Sequence, residues 1–241
     1  MLNYVIKRLL LMVPTFAAIS LVIFVVLNFA PGTPGAQMAT GEGGGQDAST
    51  AGEQRESYRI FKEQFNLDKP VLFNTRYNLN KDDVAGELNA VLNESGDVPA
   101  GRRIEAQENI ENWGRYAVPG LMGVLSDETA SLRMRSLASQ RLTFNAQRQN
   151  KNVYKKNLTD AERSEVKAIS KATSEVRGWT FKPDATPAEA NATVTQWTTW
   201  YEANASEWDY GTADRIAIFL FDTRFAKYWT NLAKLNFGVS H

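Results

Sequence analysis

The stretch from Leu9 to Phe29 reads LLLMVPTFAAISLVIFVVLNF and contains no charged residue. A helix of this length rises about 31 Å at roughly 1.5 Å per residue, which matches the hydrocarbon thickness of a bilayer. The stretch therefore predicts one transmembrane helix that anchors the rest of the chain.

The charges that flank the apolar stretch predict its orientation. Lys7 and Arg8 come immediately before it, whereas no lysine or arginine follows until Arg55. Because basic residues stay in the cytoplasm, we expect a cytoplasmic N-terminus and a periplasmic main domain, in a bacterial inner membrane. Pro14 removes one backbone hydrogen bond, so the helix is expected to bend near its cytoplasmic end. Lys7, Arg8, Pro14 and Phe29 are the predicted anchor residues.

A cleaved signal peptide also begins with basic residues and an apolar run. The run in this chain is longer than the roughly 7–15 residues of a typical signal core. No small-x-small cleavage site follows it directly. An uncleaved anchor is therefore the favoured interpretation.

Composition divides the chain into three parts. Residues 1–30 hold the N-terminus and the membrane helix. Residues 31–54 form a linker in which glycine, alanine, serine, threonine and proline dominate and no aromatic residue occurs. Residues 55–241 show helical periodicity without a convincing run of alternating strands, so the predicted extracytoplasmic domain is all-α.

Helix signals recur along this domain. The spacing of apolar residues and the capping residues predict helices at 82–92, over 102–147 with a break at Ser126-Asp127, at 159–176 and from Thr186 onward. A last helical region is predicted over 216–232. The stretch from Ala117 to Leu142 resembles one HEAT-type helical hairpin. A solenoid needs at least about three stacked repeats, and no second copy follows, so a helix pair within a small bundle is favoured.

Several kinds of chemistry are excluded by composition. There is no cysteine, and the single histidine is His241. Disulfides, thiolate sites, histidine triads and multi-histidine metal sites are therefore ruled out. Basic and acidic residues number 27 each, so no excess of positive charge favours nucleic acid. We expect no enzyme, no metal site and no cofactor, and no residue is assigned to cofactor binding.

An aromatic cluster is the remaining candidate for a partner contact. Trp197, Trp200 and Tyr201 stand on adjacent turns of a predicted helix, and Trp208 follows closely. A small domain without disulfides needs large apolar groups in its core, so most of these side chains are expected to be buried. The alternative is that part of the cluster forms an exposed docking surface for another protein.

Short motifs at both ends of the chain resemble the beginning of a dipeptide/oligopeptide-type ABC importer permease. They are Ile6-Lys7-Arg8-Leu9-Leu10, Val13-Pro14-Thr15, Ala30-Pro31-Gly32-Thr33-Pro34, Phe65-Asn66-Leu67-Asp68-Lys69-Pro70-Val71, Tyr228-Trp229, Asn231-Leu232 and Asn236-Phe237-Gly238-Val239-Ser240. Their order agrees with that family. Thr33 replaces the usual aspartate, residues 78–223 look like a large insertion, and the sequence stops where the resemblance implies a second membrane helix.

These features support two hypotheses for function. The first is a non-catalytic structural or assembly subunit of a larger integral-membrane complex, for example a photosynthetic or respiratory one. Its partners would be the lipid bilayer and other integral-membrane subunits. The second is the N-terminal portion of a peptide importer permease, whose partners the resemblance implies to be a peptide-binding protein and ATPase subunits. Because one span cannot enclose a polar path, transport would require further helices.

Overall fold

The computed structural model describes residues 2–29, 58–59, 61–63, 65–148 and 157–234. Every regular element in these ranges is helical, which confirms the all-α prediction. The predicted linker at 31–54 and His241 lie outside the described residues. The α-helices are α1 (Leu2–Phe29), α2 (Lys81–Leu92), α3 (Ala100–Trp113), α4 (Val118–Leu125), α5 (Leu132–Asn145), α6 (Asp160–Val176), α7 (Pro187–Ala203), α8 (Thr212–Phe221) and α9 (Arg224–Ala233).

Helix α1 is the one helix in the described ranges that is long and apolar enough to cross a membrane. Its candidate span, Ile6–Val26, has 21 residues. Lys7 and Arg8 are exposed near its start, and Phe29 is its last residue. The helix continues through Pro14, and the neighbouring Thr15 hydroxyl donates to the Leu11 carbonyl at 2.8 Å. The bend at Pro14 stays a prediction.

Helix α4 is the centre of the helical domain. Its sequence VPGLMGVL is apolar throughout, and such a helix is stable in water only when other elements surround it. It packs against α2, α5 and α7. The side chains of Leu121 and Leu125 are fully buried, together with Val84 and Leu88 of α2. These residues form the main core.

The region predicted as one continuous helix from 102 to 125 is two helices. Gly114 has φ 53° and ψ −134°, a conformation that glycine adopts readily, and it ends α3. A 3-10 turn, Gly114–Ala117, then leads into α4. Within α3, Ile104 is 62% exposed, whereas Ile110 is fully buried.

The capping residues in the sequence correctly predict where α6 and α7 begin, whereas the apolar spacing did not predict the break between α3 and α4. At Thr186 the hydroxyl accepts from the Glu189 amide at 3.3 Å, while the Glu189 carboxylate accepts from the Thr186 amide at 2.8 Å. Thr159 and Glu162 form the same box at the start of α6. Both predicted starts are confirmed, because the cap satisfies amides that have no partner inside the helix.

Gly120 is required where α4 approaches the start of α2. A Cβ atom added there would lie 2.5 Å from the Val84 Cγ2 atom and 2.7 Å from the Asn80 carbonyl oxygen. We expect Gly120→Ala to lower the free energy of unfolding by about 1–3 kcal/mol, as overpacking does. Chemical denaturation of the full chain in detergent micelles would measure this loss.

Gly86 in α2 supplies the matched control. A Cβ atom there meets nothing within 4 Å. Gly86→Ala should therefore raise stability by roughly 0.5–1 kcal/mol, since alanine favours a helix interior over glycine. Equal effects of the two substitutions would contradict the close approach of α4 to α2.

Candidate functional site

The helical domain packs directly on the membrane-helix candidate through α9. The Phe24 ring of α1 lies 5.2 Å from the Phe225 ring and 5.5 Å from the Tyr228 ring. One further contact joins Phe16 to Trp229, whose ring centroids are 5.5 Å apart in an edge-to-face arrangement. Aromatic pairs in these geometries contribute beyond the burial of their area, so the interface holds α9 on α1.

The order of these contacts shows the direction of α9. Along α9, the chain passes from contacts with Phe24 to a contact with Phe16, so the two helices run antiparallel. Phe16 lies at the middle of the span Ile6–Val26. Phe24 is about 12 Å further along α1, at roughly 1.5 Å per residue. Helix α9 therefore lies beside the C-terminal half of the candidate span.

The segment 65–75, which begins with turns and bends, fixes the junction between α8 and α9. Two backbone amides of the junction donate to this segment: Arg224 to the Pro70 carbonyl at 2.9 Å and Phe225 to the Val71 carbonyl at 3.1 Å. In the opposite direction, the Asn74 amide donates to the Phe219 carbonyl at 3.1 Å. Two distant stretches of sequence thus pair through their backbones.

Asp222, between α8 and α9, is the centre of a polar network. Its carboxylate accepts hydrogen bonds from the Tyr116 hydroxyl at 2.9 Å and the Asn74 side-chain amide at 3.1 Å. Lys69 lies 2.8 Å from it and Lys227 3.8 Å. Burial alone would raise the pKa of Asp222, but the Lys69 charge and the bonds from Lys69 and Tyr116 outweigh it and lower the pKa.

The pKa of Asp68 is shifted in the direction opposite to that of Asp222. Its Oδ1 atom is buried and has no hydrogen-bond partner among the described residues. Burial raises the pKa of Asp68, although the positive charges of Lys69 and Arg76 oppose this effect. Arg76 is tied to the backbone here, since its guanidinium donates to the Asp68 carbonyl at 2.7 Å and to the Asn112 carbonyl.

A polar cavity of about 470 Å³ adjoins this network. Its charged lining includes Arg59, Glu63, Asp68, Lys69, Arg76, Glu111, Arg115, Arg141, Arg148 and Asp222. Burial lowers the pKa of Arg115 to about 10, so this guanidinium stays charged at neutral pH and pairs with Glu207. The cavity presents fixed charges of both signs. In the part of the chain that the structure describes, no group of three metal-ligating side chains converges.

The four predicted partner-contact residues form one connected aromatic cluster. The Trp197 ring is fully buried and makes edge-to-face contacts with Trp179 at 5.3 Å and Trp200 at 5.4 Å. Tyr201 stacks on Trp208, which is nearly buried, with centroids 5.1 Å apart. Trp197 is therefore a core residue. Trp200 and Tyr201 are half-buried, so a docking role stays a prediction for these two.

The sequence alone does not identify two residues that contact this cluster, one aromatic and one cationic. Trp179 lies in the connection between α6 and α7, where no periodic spacing marks it, and its carbonyl accepts from the Trp197 indole at 2.7 Å. Arg115 places its guanidinium over the Trp208 ring, 5.2 Å from the centroid. Its position in a 3-10 turn gives no signal in the sequence.

Comparison with protein-family models, with curated protein sequences and with solved structures found no match to this chain.

Proposed function

We propose that this chain is a non-catalytic, membrane-anchored structural or assembly subunit of a larger integral-membrane complex. The observation that carries this proposal is the packing of α9 along α1. A domain that only needed to be tethered could rely on a flexible linker. The three aromatic contacts between α9 and α1 would instead favour one position of the domain relative to the span, which a bracing subunit requires.

The orientation proposed for this subunit follows from its basic residues. Lys7 and Arg8 are exposed at the start of α1, which supports a cytoplasmic N-terminus and a periplasmic helical domain. Apolar side chains elsewhere on α1 remain uncovered and would contact lipid or other spans: Leu10, Leu11, Met12, Ile19, Val22, Ile23 and Val26. The bilayer and other integral-membrane subunits, for example of a photosynthetic or respiratory assembly, are the proposed partners.

A second candidate function is the N-terminal portion of a peptide importer permease. One observation favours it: the segments at 65–71 and 225–229, which resemble that family, contact each other across the fold. In addition, α9 runs back along α1, as a segment leading into a membrane would. The partners would then be a peptide-binding protein and ATPase subunits.

Gentle extraction from native membranes, with intact-mass measurement and identification of co-purifying proteins, tests these proposals. We expect a mass near 26.9 kDa with stoichiometric integral-membrane partners. A much larger mass accompanied by a peptide-binding protein and ATPases would favour the permease. A monomer without partners would contradict both proposals.

Phe24→Ala is the matched variant for the same experiment. It removes the ring that contacts Phe225 and Tyr228 but leaves the span apolar. If a fixed domain position matters for assembly, this variant should insert normally yet recover fewer partners. Tyr4→Ala removes an exposed aromatic side chain of the same helix outside the candidate span, and this variant should retain them. Equal recovery with both variants would contradict the bracing role of the α1–α9 interface.

A further inference from the structure

Helix α8 carries a run of apolar residues that stays exposed among the residues that the structure describes. From Ile216 to Phe221 the sequence is IAIFLF, and no residue of α8 is buried. Ile216 is 55% exposed and Phe221 is 65% exposed. A helix that is apolar around its surface is normally enclosed by other elements, as α4 is, so the exposure of α8 requires another explanation.

A further aromatic side chain extends this surface. Phe73, also exposed, stacks on Phe219 with ring centroids 5.0 Å apart and an interplanar angle of 15°. The backbone hydrogen bond from Asn74 to Phe219 holds the segment 65–75 against α8. We call Phe73, Ile216, Leu220 and Phe221 the apolar face of α8.

The position of α9 indicates what covers this face. Phe225, in the first turn of α9, contacts Phe24 near the end of the candidate span. Phe24 lies about 12 Å from the middle of the span, which places it inside a hydrocarbon layer roughly 30 Å thick. Phe221 precedes Phe225 by one short turn. The apolar face is therefore adjacent to the depth at which hydrocarbon meets the headgroups.

The residues of α8 change from charged to apolar along the helix, towards the end that is nearest α9. Its first turn holds Asp214 and Arg215, and its second half is wholly apolar. Beyond the junction, Lys227 points its ammonium group back towards Asp222, at 3.8 Å, rather than along α9. A lysine near an interface behaves in this way, with its stem in apolar surroundings and its charge directed towards polar groups.

From this continuity we infer that the apolar face of α8 inserts into the lipid leaflet that surrounds the C-terminal end of α1. The bilayer, rather than a protein partner, is the occupant, because α9 begins three residues after Phe221 and its first turn contacts the span through Phe225 and Phe24. The inference rests on the proposed membrane anchoring. It adds a second point of membrane attachment, which would fix the tilt of the domain over the surface.

Site-directed spin labelling tests this inference, and the absence of native cysteine makes single-cysteine variants of the full chain simple to prepare. Phe221→Cys and Phe73→Cys probe the apolar face. Val22→Cys, on an exposed position of α1, reports whether the span is inserted. Ile104→Cys is the matched control, because it replaces an equally exposed apolar side chain on α3, away from α1.

The labelled proteins would be reconstituted in phosphatidylcholine vesicles containing some phosphatidylglycerol, and label collisions with oxygen and with a water-soluble nickel complex would be compared. We expect labels at 221 and 73 to favour oxygen, as the label at 22 does, while the label at 104 favours the nickel complex. Lipid exposure at 22 with water exposure at both 221 and 73 would overturn this inference alone. Water exposure at 22 would overturn the membrane anchoring as well.

Discussion

Replacement of Trp197 by alanine is expected to lower the free energy of unfolding by about 3–5 kcal/mol, the range for large aromatic side chains removed from a core. The indole is fully buried between Trp179 and Trp200. Its truncation leaves a cavity too enclosed to collapse easily. It also deprives the Trp179 carbonyl of the indole N–H donor that lies at 2.7 Å. Chemical denaturation of the full chain in micelles, followed by circular dichroism, would measure the change.

Ile104→Ala is the control for this measurement, because it shortens an apolar side chain that is 62% exposed. Its effect should stay within about 0.5 kcal/mol, as for most surface substitutions. If Trp197→Ala costs no more than the control, Trp197 does not belong to the core.

Trp200→Ala separates the two interpretations of the half-buried part of the cluster. The Trp200 ring contacts both Trp197 and Trp208, with centroids 5.4 Å and 5.5 Å away. A purely structural side chain would show a loss of stability and unchanged association once the variant is folded. Normal stability with lost association would instead indicate a docking surface.

Local features of the sequence predicted the helices, but not how distant segments meet. Capping residues such as Thr186 act within one turn, so their effect can be read directly from neighbouring letters. Asn74 and Asp222 are 148 positions apart, and nothing in either neighbourhood marks them as partners. A single sequence contains no information on such pairings, because many polar residues of the chain would fit equally well.

The N-terminal helix α1 shows the same difference between what one sequence predicts locally and what it does not predict over a distance. Length and hydropathy identify α1, since an uncharged apolar run of this size has few alternative structures. The docking of α9 could not be predicted, because Phe225 and Tyr228 have the same apolar spacing whether they face α1 or the domain core. Asp222 was not singled out either, since an acidic residue between two helices is most often solvated.

Asp222→Asn is expected to lower the free energy of unfolding by about 3 kcal/mol near neutral pH, because it leaves a partly buried cation without its partner. The carboxylate accepts from Tyr116 and Asn74 and faces Lys69. Despite burial, these contacts lower its pKa in the folded protein. Its contribution is therefore present above the ordinary carboxyl pKa of about 3.9 and is lost as pH falls through the folded value.

The pH dependence of the free energy of unfolding distinguishes a charge effect of Asp222 from other effects of the substitution. Wild type and Asp222→Asn should differ near pH 7 and converge in acid, where both side chains are neutral. Asp68→Asn is the matched control of opposite sign. Burial raises the pKa of Asp68, so its ionised form is disfavoured in the fold and a neutral amide should increase stability near pH 7.

Denaturation curves for wild type, Asp222→Asn and Asp68→Asn at a series of pH values would test the expected loss of stability and the expected gain together. If Asp222→Asn and Asp68→Asn have the same effect near neutral pH, the network does not distinguish its two aspartates. The backbone bonds from Arg224, Phe225 and Asn74 would then hold the junction without a contribution specific to the Asp222 charge. A loss specific to Asp222 would instead show that its charge stabilises the start of α9, the helix whose rings contact α1.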